Sequence, residues 1–312
     1  MTSERTEKGV SMAHGESDRR AARFADLRPL LFTVAYEIVG SAADADDVLQ
    51  ESYLRWAEVD DADVVDPKAY LAKIVTRQAL NALRSRSRRR EEYVGPWLPE
   101  PILLDDRDLA DDVVLAESVS TAMLVVLESL SPDERAVFVL REVFGFSYTE
   151  IGSMVSKPPA TVRQIAHRAR SHVESRRPRF DPVDAQRARA VVEEFLDAAQ
   201  SGQIESLIAL LSPDVVFTAD SDGKATAVKR PIQGSLPVAR LLAGFARLGT
   251  TIDDYRAEVA LLNHEPGMIV YFDGKLQGVF TFHIVDGVIE QIYAMRNPDK
   301  LVGVEEPRTI AR

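Results

Sequence analysis

Between Ala22 and about Arg90, apolar residues recur at three- and four-residue intervals, the period of amphipathic helices. SAADADDVLQESYLRW predicts a helix capped by Ser41, with acidic residues in the first turns, where the helix dipole favours them. DPKAYLAKIVTRQALNALRSRSRRR predicts another, with Asp66 as N-cap and Pro67 at the first helical position. In it Leu71, Ile74, Val75, Ala79 and Leu83 share an apolar side, while Lys73, Arg77, Asn81, Arg84 and Arg88 step along another face. One side can pack while the other presents positive charge. A second helical region runs from about Glu117 to Arg177. SPDERAVFVL carries a capping box with Ser131 and Glu134, and SYTEIGSMV repeats the device with Ser147 and Glu150.

After a tight SKPPA comes the arginine-rich TVRQIAHRARSHV, and two short helices joined by a few turn residues give a helix-turn-helix layout. Val162, Ile165, Ala166, Ala169 and Val173 form the inward stripe of its second helix. Arg163, Gln164, His167, Arg168 and Arg170 project outward, toward base edges and phosphates. Near Pro178–Pro182 the period changes. Two helical stretches lead into DVVFTAD, and SLPVARLLAGFARLG predicts a further helix. The alternating runs YRAEVALLN, MIVYF, LQGVFTFHIV and VIEQIYAM follow, separated by HEPG, FDG and VDG turns. The expectation is a multidomain chain: two all-α modules, then an α+β domain whose curved antiparallel sheet wraps a cavity.

Composition narrows the chemistry. The chain has 312 residues, enough for two or three cores, and no cysteine, which excludes disulfides, thiolate metal sites and cysteine nucleophiles. Residues 1–21 are polar and without an apolar h-region, which reads as a disordered tail rather than a signal peptide. Apolar runs such as MLVVL fall far short of the ~20 residues a membrane span needs, so a cytoplasmic protein without membrane contact is expected. The net charge is −11, yet six arginines and no acid fall between Arg77 and Arg90, and six more between Arg163 and Arg179 against Glu174 alone. Two basic patches on an acidic body can grip phosphates but attract bare duplex weakly, so such a protein binds DNA best when something else delivers it.

DADDVLQESYLRW resembles the part of bacterial RNA polymerase sigma factors that docks on the polymerase clamp. YLAKIVTRQALNALRSRSRRRE is similar to the helix that opens and reads the −10 element. LSPDERAVFVLREVFGFSYTEIGSMVSKPPATVRQIAHRARSHV is similar to the helix-turn-helix that reads the −35 element. With no third module between them, the pair resembles the extracytoplasmic-function class. WLPEP, DSDGK and NPDKL together resemble the subgroup with a fused SnoaL-like domain of NTF2-like fold. One departure is plain: where that subgroup's loop reads DGGGK, Ser221 and Asp222 replace two glycines, while Asp220, Gly223 and Lys224 keep the frame.

The resemblance implies sigma region 2 over 22–92, a linker over 93–116, sigma region 4 over 117–180 and a SnoaL-like regulatory domain over 181–312. Its partners would be core RNA polymerase, through Asp47 and Gln50, and promoter DNA. Arg77, Asn81 and Arg84 would face the −10 strand, with Trp56 and Tyr70 as stacking or core aromatics. Arg163, Gln164, His167 and Arg168 would read the −35 duplex. The prolines of EEYVGPWLPEP favour extended backbone, and Trp97 with Leu98 needs a surface to cover it. Trp97, Leu98, Pro99, Glu100 and Pro101 are expected to dock on the C-terminal domain near Asp220, Gly223 and Lys224, with Asn297, Pro298, Asp299 and Lys300 sharing the regulatory role. No cofactor, metal site or separate anti-sigma factor is implied. The cavity could hold a small-molecule ligand, and an enzyme of cyclase or isomerase type is the alternative for this domain. For that alternative Asp220, Asp222, His264 and His283 are the available groups, His283 alone projecting from a strand middle. For the whole protein, the rival is a helix-turn-helix regulator that binds duplex unaided.

Overall fold

The structure is a computed structural model that describes residues 3–59, 64–86, 93–104, 112–176, 185–249, 251–252 and 254–312, and side chains from residue 18 except those of 86 and 185. Arg88 and its arginine neighbours, the acidic run 105–111 and the expected boundary at Pro178–Pro182 lie outside the described residues. In chain order the helices are α1 (Ser3–Val39), α2 (Ala42–Ala57), α3 (Pro67–Arg86), α4 (Val113–Val119), α5 (Thr121–Leu127), α6 (Pro132–Phe138), α7 (Tyr148–Val155), α8 (Pro159–Glu174), α9 (Ala185–Ser201), α10 (Ile204–Leu210) and α11 (Ser235–Gly249). The strands are β1 (Leu211–Asp220), β2 (Ile232–Gln233), β3 (Arg256–Leu262), β4 (Glu265–Phe272), β5 (Lys275–Val285) and β6 (Val288–Met295). Helix α1 already starts at Ser3, within the segment expected to be a tail.

Two compact units form. The first combines Met1–Ser87, Leu130–His172 and Ile310–Arg312, and the second Arg88–Ser129 with Val173–Thr309. The expected limits 93–116, 117–180 and 181–312 cut across this division, because α4 and α5 pack with the C-terminal sheet and the last three residues with the helices. Ala311 N donates to Thr33 Oγ1 at 3.1 Å, and Arg312 Nη1 to Val143 O at 3.3 Å.

In the first unit α1, α2 and α3 pack around Leu31, Phe32, Tyr36, Ile38, Trp56, Leu71 and Val75, all buried. Trp56 is wholly enclosed, its Nε1–H donating to Arg20 O at 3.0 Å, so it is core and has no face free for a base. The helix starts follow their caps: Ser41 Oγ accepts from Asp44 N at 3.0 Å and Asp66 Oδ1 from Ala69 N at 3.1 Å. Both capping boxes form, on Ser131 with Glu134 and on Ser147 with Glu150. After α6 the chain makes a π-helical turn, Val139–Val143. The turn from α7 to α8 passes through Ser156 at φ 57°, and it needs Gly152, where a Cβ would lie 2.6 Å from Lys157 O. Arg135 is buried, donating from Nε to Glu37 O at 2.7 Å, and burial pushes its guanidinium down to about 10.

The second unit is built on one sheet of order β2-β1-β6-β5-β4-β3. It is mixed, where alternation alone suggested antiparallel strands throughout: β1 pairs parallel with β6, from Leu211 opposite Ile289 to Asp220 opposite Met295. A parallel pair needs a long crossover, and α11 with β3, β4 and β5 supplies it. The hairpin turns fall on Asn263–His264, Asp273–Gly274 and Asp286–Gly287, each with positive φ at both residues, as primed turns require. The expected HEPG turn is therefore shorter, since Glu265, Pro266 and Gly267 already pair with Leu262, Leu261 and Ala260. One face of the sheet packs Phe280, Phe282, Ile292 and Ala294 under α9 and α11. The other carries Ile269, Tyr271, Val279, Tyr293 and Met295, and Leu98 and Ala122 cover it.

Candidate nucleic-acid interface and linker site

Helix α8 buries Val162, Ile165, Ala166, Ala169 and Val173 as the spacing predicts, and leaves Arg163, Gln164, His167 and Arg168 exposed on its opposite side. Arg168 stays close to Glu134, at 3.9 Å, and Arg163 lies 6.0 Å from the Tyr148 ring centre. Arg170, expected on the same face, turns aside to Glu142 at 2.5 Å. The four remaining polar side chains form a patch with the donors and acceptors that base edges and phosphates take.

On α3 the residues expected to face the −10 strand part company. Asn81 is exposed and open to solvent. Arg77 donates from Nη2 to Ser153 O at 3.0 Å and Ser156 Oγ at 3.3 Å, and from Nε to Met154 O at 3.3 Å. Arg84 Nη2 bonds Asp133 Oδ1 at 2.8 Å, and Lys157 Nζ holds the other carboxylate oxygen at 3.1 Å. Burial alone would raise the Asp133 pKa, but the hydrogen bonds from Lys157 and Arg84 outweigh it and hold the carboxyl below its usual range. Two of three expected strand readers are thus engaged by α6, α7 and the turn after α7.

On α2, Asp47 and Gln50 are both exposed, one helical step apart. Leu54, four residues beyond Gln50, is 66 % exposed on the same side. Sequence reasoning missed it. The available signal was a leucine at i+4 on an otherwise polar face.

Residues 93–104 lie against the C-terminal sheet, and Asp220 at the end of β1 is their anchor. Its carboxylate accepts from Leu98 N and Lys300 Nζ, both at 2.7 Å, and from the Tyr93 hydroxyl. The pair Asp220–Lys300 is buried, with side-chain exposures of 0 % and 5 %. Lys300 satisfies a second donor on Leu98 O at 2.7 Å, and its ammonium sits 3.3 Å from the Trp97 ring centre, a close cation–π contact. Tyr93 meets Trp97 edge-on at 4.5 Å and accepts from Asn297 Nδ2 at 2.8 Å. Burial and then the Asp220 carboxylate push the Tyr93 pKa far up, so the phenol remains a donor. Leu98, Pro99 and Pro101 are buried, Trp97 and Glu100 half-buried.

The altered loop takes part. Asp222 adopts φ 49° and its Oδ1 accepts from Val94 N at 3.1 Å, so the residue standing in for a glycine supplies a bond to the linker backbone. Gly223 keeps φ 67° beside Val94, and Lys224 bridges Asp222 at 2.9 Å and Asp299 at 2.6 Å. Pro298 opens the short turn Pro298–Lys300, which Asn297 caps by accepting from Asp299 N at 3.1 Å. Further along, Asn263 clasps the chain from inside: Oδ1 accepts from Ile102 N at 3.1 Å, and Nδ2 donates to Val119 O at 2.9 Å. Tyr93, Asp222 and Asn263 were not singled out for this role from sequence. Tyr93 at i−4 from Trp97 was the available hint.

A cavity of about 210 Å³ opens on the α9 and α11 side of the sheet, lined by residues that include Phe195, Leu242, Met268 and Phe280. His283 does not line it. It is buried among odd-numbered β5 residues on the opposite face, because strand side chains alternate and Phe280 and Phe282 take the cavity side. His264 sits in the β3–β4 turn, and Asp220 and Asp222 belong to the linker site. Among the described residues no group of acidic, histidine or cysteine side chains could hold a metal ion, and no helix is long and apolar enough to cross a membrane.

Helices arranged in this way are matched by the Sigma-70 region 2 family over residues 24–89 and by Sigma-70 region 4 over residues 120–173. With the sequence likeness that spans both units, they place the chain in the extracytoplasmic-function (ECF) family of RNA polymerase sigma factors. Among its relatives, the ECF RNA polymerase sigma factor SigJ of Mycobacterium tuberculosis is 37% identical over 296 residues, covering 90% of this chain and 93% of that one. The probable ECF RNA polymerase sigma factor SigI of the same species is 29% identical over 282 residues, covering 88% and 92%. The crystal structure of Mycobacterium tuberculosis SigJ superposes with a TM-score of 0.72 at 33% identity, covering 91% of this chain and 99% of that one. The protein is an alternative sigma factor with a fused α+β domain of SnoaL-like, NTF2-like fold.

Proposed function

We propose that this sigma factor acts on DNA in the cytoplasm by docking core RNA polymerase through Asp47, Gln50 and Leu54, reading the −10 strand with Arg77, Asn81 and Arg84, and reading the −35 duplex with Arg163, Gln164, His167 and Arg168. The exposed Leu54 beside two polar residues supports the first assignment, since apolar anchors with a polar rim suit a protein partner. The arginine and glutamine pattern on the outer side of α8 supports the last. The SnoaL-like domain is a built-in regulator that fixes the linker between the two promoter readers. The observation that carries this reading is the buried Asp220–Lys300 pair, closed on Leu98, Trp97 and Tyr93.

Reconstituting the full-length chain with core polymerase on a promoter library tests it. Trp97→Ala and Lys300→Met should both change promoter-specific output while leaving polymerase binding intact. Unchanged output in both variants would sink the regulatory role. The rival reading as a cyclase or isomerase needs a general base in the cavity. Among the described residues that line it there is neither a carboxylate nor an imidazole, so no observation favours that reading.

A further inference from the structure

The cavity in the SnoaL-like domain is apolar and aromatic over most of its wall, with Phe195, Leu242, Phe245, Met268, Val270 and Phe280 among the lining side chains. Among the described lining residues one is charged, Arg296, directly after β6. Its Nε is buried and has no hydrogen-bond partner among the described residues. Burial holds its guanidinium below the ordinary value, the mark of a cation short of solvent. Among the described residues, Thr226, Tyr255 and Gln277 are the other polar groups in the lining, and none carries a negative charge at neutral pH.

Strand β5 makes room for this arginine. At Gly278 a Cβ would come within 2.9 Å of Arg296 Cδ, 3.1 Å of Met295 O and 3.5 Å of Arg296 Nε. A larger residue would push the guanidinium out of place. A half-buried guanidinium with an enclosed, unpaired Nε–H is costly, and the usual remedy is an anion that brings its own hydrogen-bond acceptors.

We propose that this cavity is a binding site for a compact apolar carboxylate, its hydrocarbon body enclosed by the aromatic wall and its anion held by Arg296. A single guanidinium balances a single negative charge, which favours a carboxylate over a phosphate dianion. Size sets the body. A cavity of about 150 Å³ accepts benzene, so 210 Å³ accepts an aryl ring or a short alkyl chain together with its carboxylate. The site is also placed to be felt by the linker: Arg296 N donates to Asp220 O at 2.7 Å, and Asn297 is its neighbour in sequence. The proposal goes beyond promoter reading and does not depend on it.

Calorimetric titration of the full-length protein with octanoate and 3-phenylpropionate, each beside its neutral amide, tests the proposal. The acids should bind at least about tenfold more tightly than the amides, as a charge-assisted hydrogen bond in an apolar site implies. Arg296→Gln should bring the acids to the level of the amides, which it leaves unchanged, and Arg296→Lys should keep part of the preference. Ala246→Phe, which fills the cavity, should weaken acid and amide alike. Equal affinity for acid and amide in the unaltered protein, no saturable binding of the acids at millimolar concentration, or acid binding indifferent to Arg296→Gln would each overturn it. Should Arg296→Gln fail to fold, as circular dichroism would reveal, the comparison of acid with amide on the unaltered chain still decides.

Discussion

Lys300 satisfies three demands at once: it neutralises a buried carboxylate, caps a carbonyl of the linker and lies on the face of Trp97. Replacing it with methionine preserves most of its bulk but leaves Asp220 charged and enclosed. Removing one partner of a buried pair costs about 3–5 kcal/mol. Lys300→Met should therefore lower the urea midpoint of the second unit and make the linker susceptible to protease; an unchanged midpoint would show that solvent reaches Asp220. Tyr93→Phe removes one hydroxyl, a donor to the same carboxylate, and should cost less, about 1.5–3 kcal/mol, in the same measurement. On α8, Arg163→Ala should weaken −35 discrimination by about 1–3 kcal/mol while core polymerase binding stays the same. A smaller affinity ratio between matched and altered −35 sequences in the variant holoenzyme than in the parent is the expected reading in a binding assay, and an unchanged ratio would exclude Arg163 as a reader. The sequence pointed to Trp97 and Leu98 through the composition of the linker, and to Asp220 and Lys300 through the family resemblance of DSDGK and NPDKL. It could not disclose Asp222 or Asn263 as linker ligands, because each acts through a turn whose positive φ is fixed by the folded chain.

Helix starts were written locally, and the structure follows them: Ser41, Asp66, Ser131 and Ser147 cap where their side chains can reach orphan amides a few residues on. Pairing between elements was not. Nothing in the period of α3 says that Arg77 and Arg84 turn onto α6, α7 and the following turn. The Arg84–Asp133–Lys157 bridge gives this contact a pH signature. Asp133 has a folded pKa below its ordinary value of 3.8. A depressed carboxylate stabilises the fold above that ordinary value and loses the contribution as pH falls through the folded value. The stability advantage of the parent over Asp133→Asn should be constant near neutrality and shrink as pH drops below 3.8, in thermal melts across an acid series. An advantage that persists undiminished at the acid end would exclude the bridge as its source. Because Asp133→Asn also loosens Arg84 without touching a proposed promoter reader, it should raise −10-dependent transcription in reconstituted holoenzyme. Lower output would mean that the contact aids promoter engagement.

Across the whole molecule, the linker and α4–α5 belong with the C-terminal sheet. Truncation beyond Pro182 would strip Leu98, Ile102 and Ala122 of much of the surface that buries them. Such a chain should aggregate or bind a hydrophobic dye, as contiguous exposed apolar surface does. A well-behaved monomer in light scattering would show that these residues find other cover. Domain function is for this reason better tested by substitution at the linker site than by deletion. The helices from α2 onward in outline, their caps, the helix-turn-helix, the outward polar side of α8 and the α+β order were set by the sequence alone, since period, capping and turn chemistry act over a few residues. Tertiary structure decided which side of the sheet His283 takes, the parallel β1–β6 pair, the engagement of Arg77 and Arg84, and the placement of Arg296 in an apolar cavity. Each of these depends on residues far apart in the chain meeting in space, and no local pattern encodes that meeting.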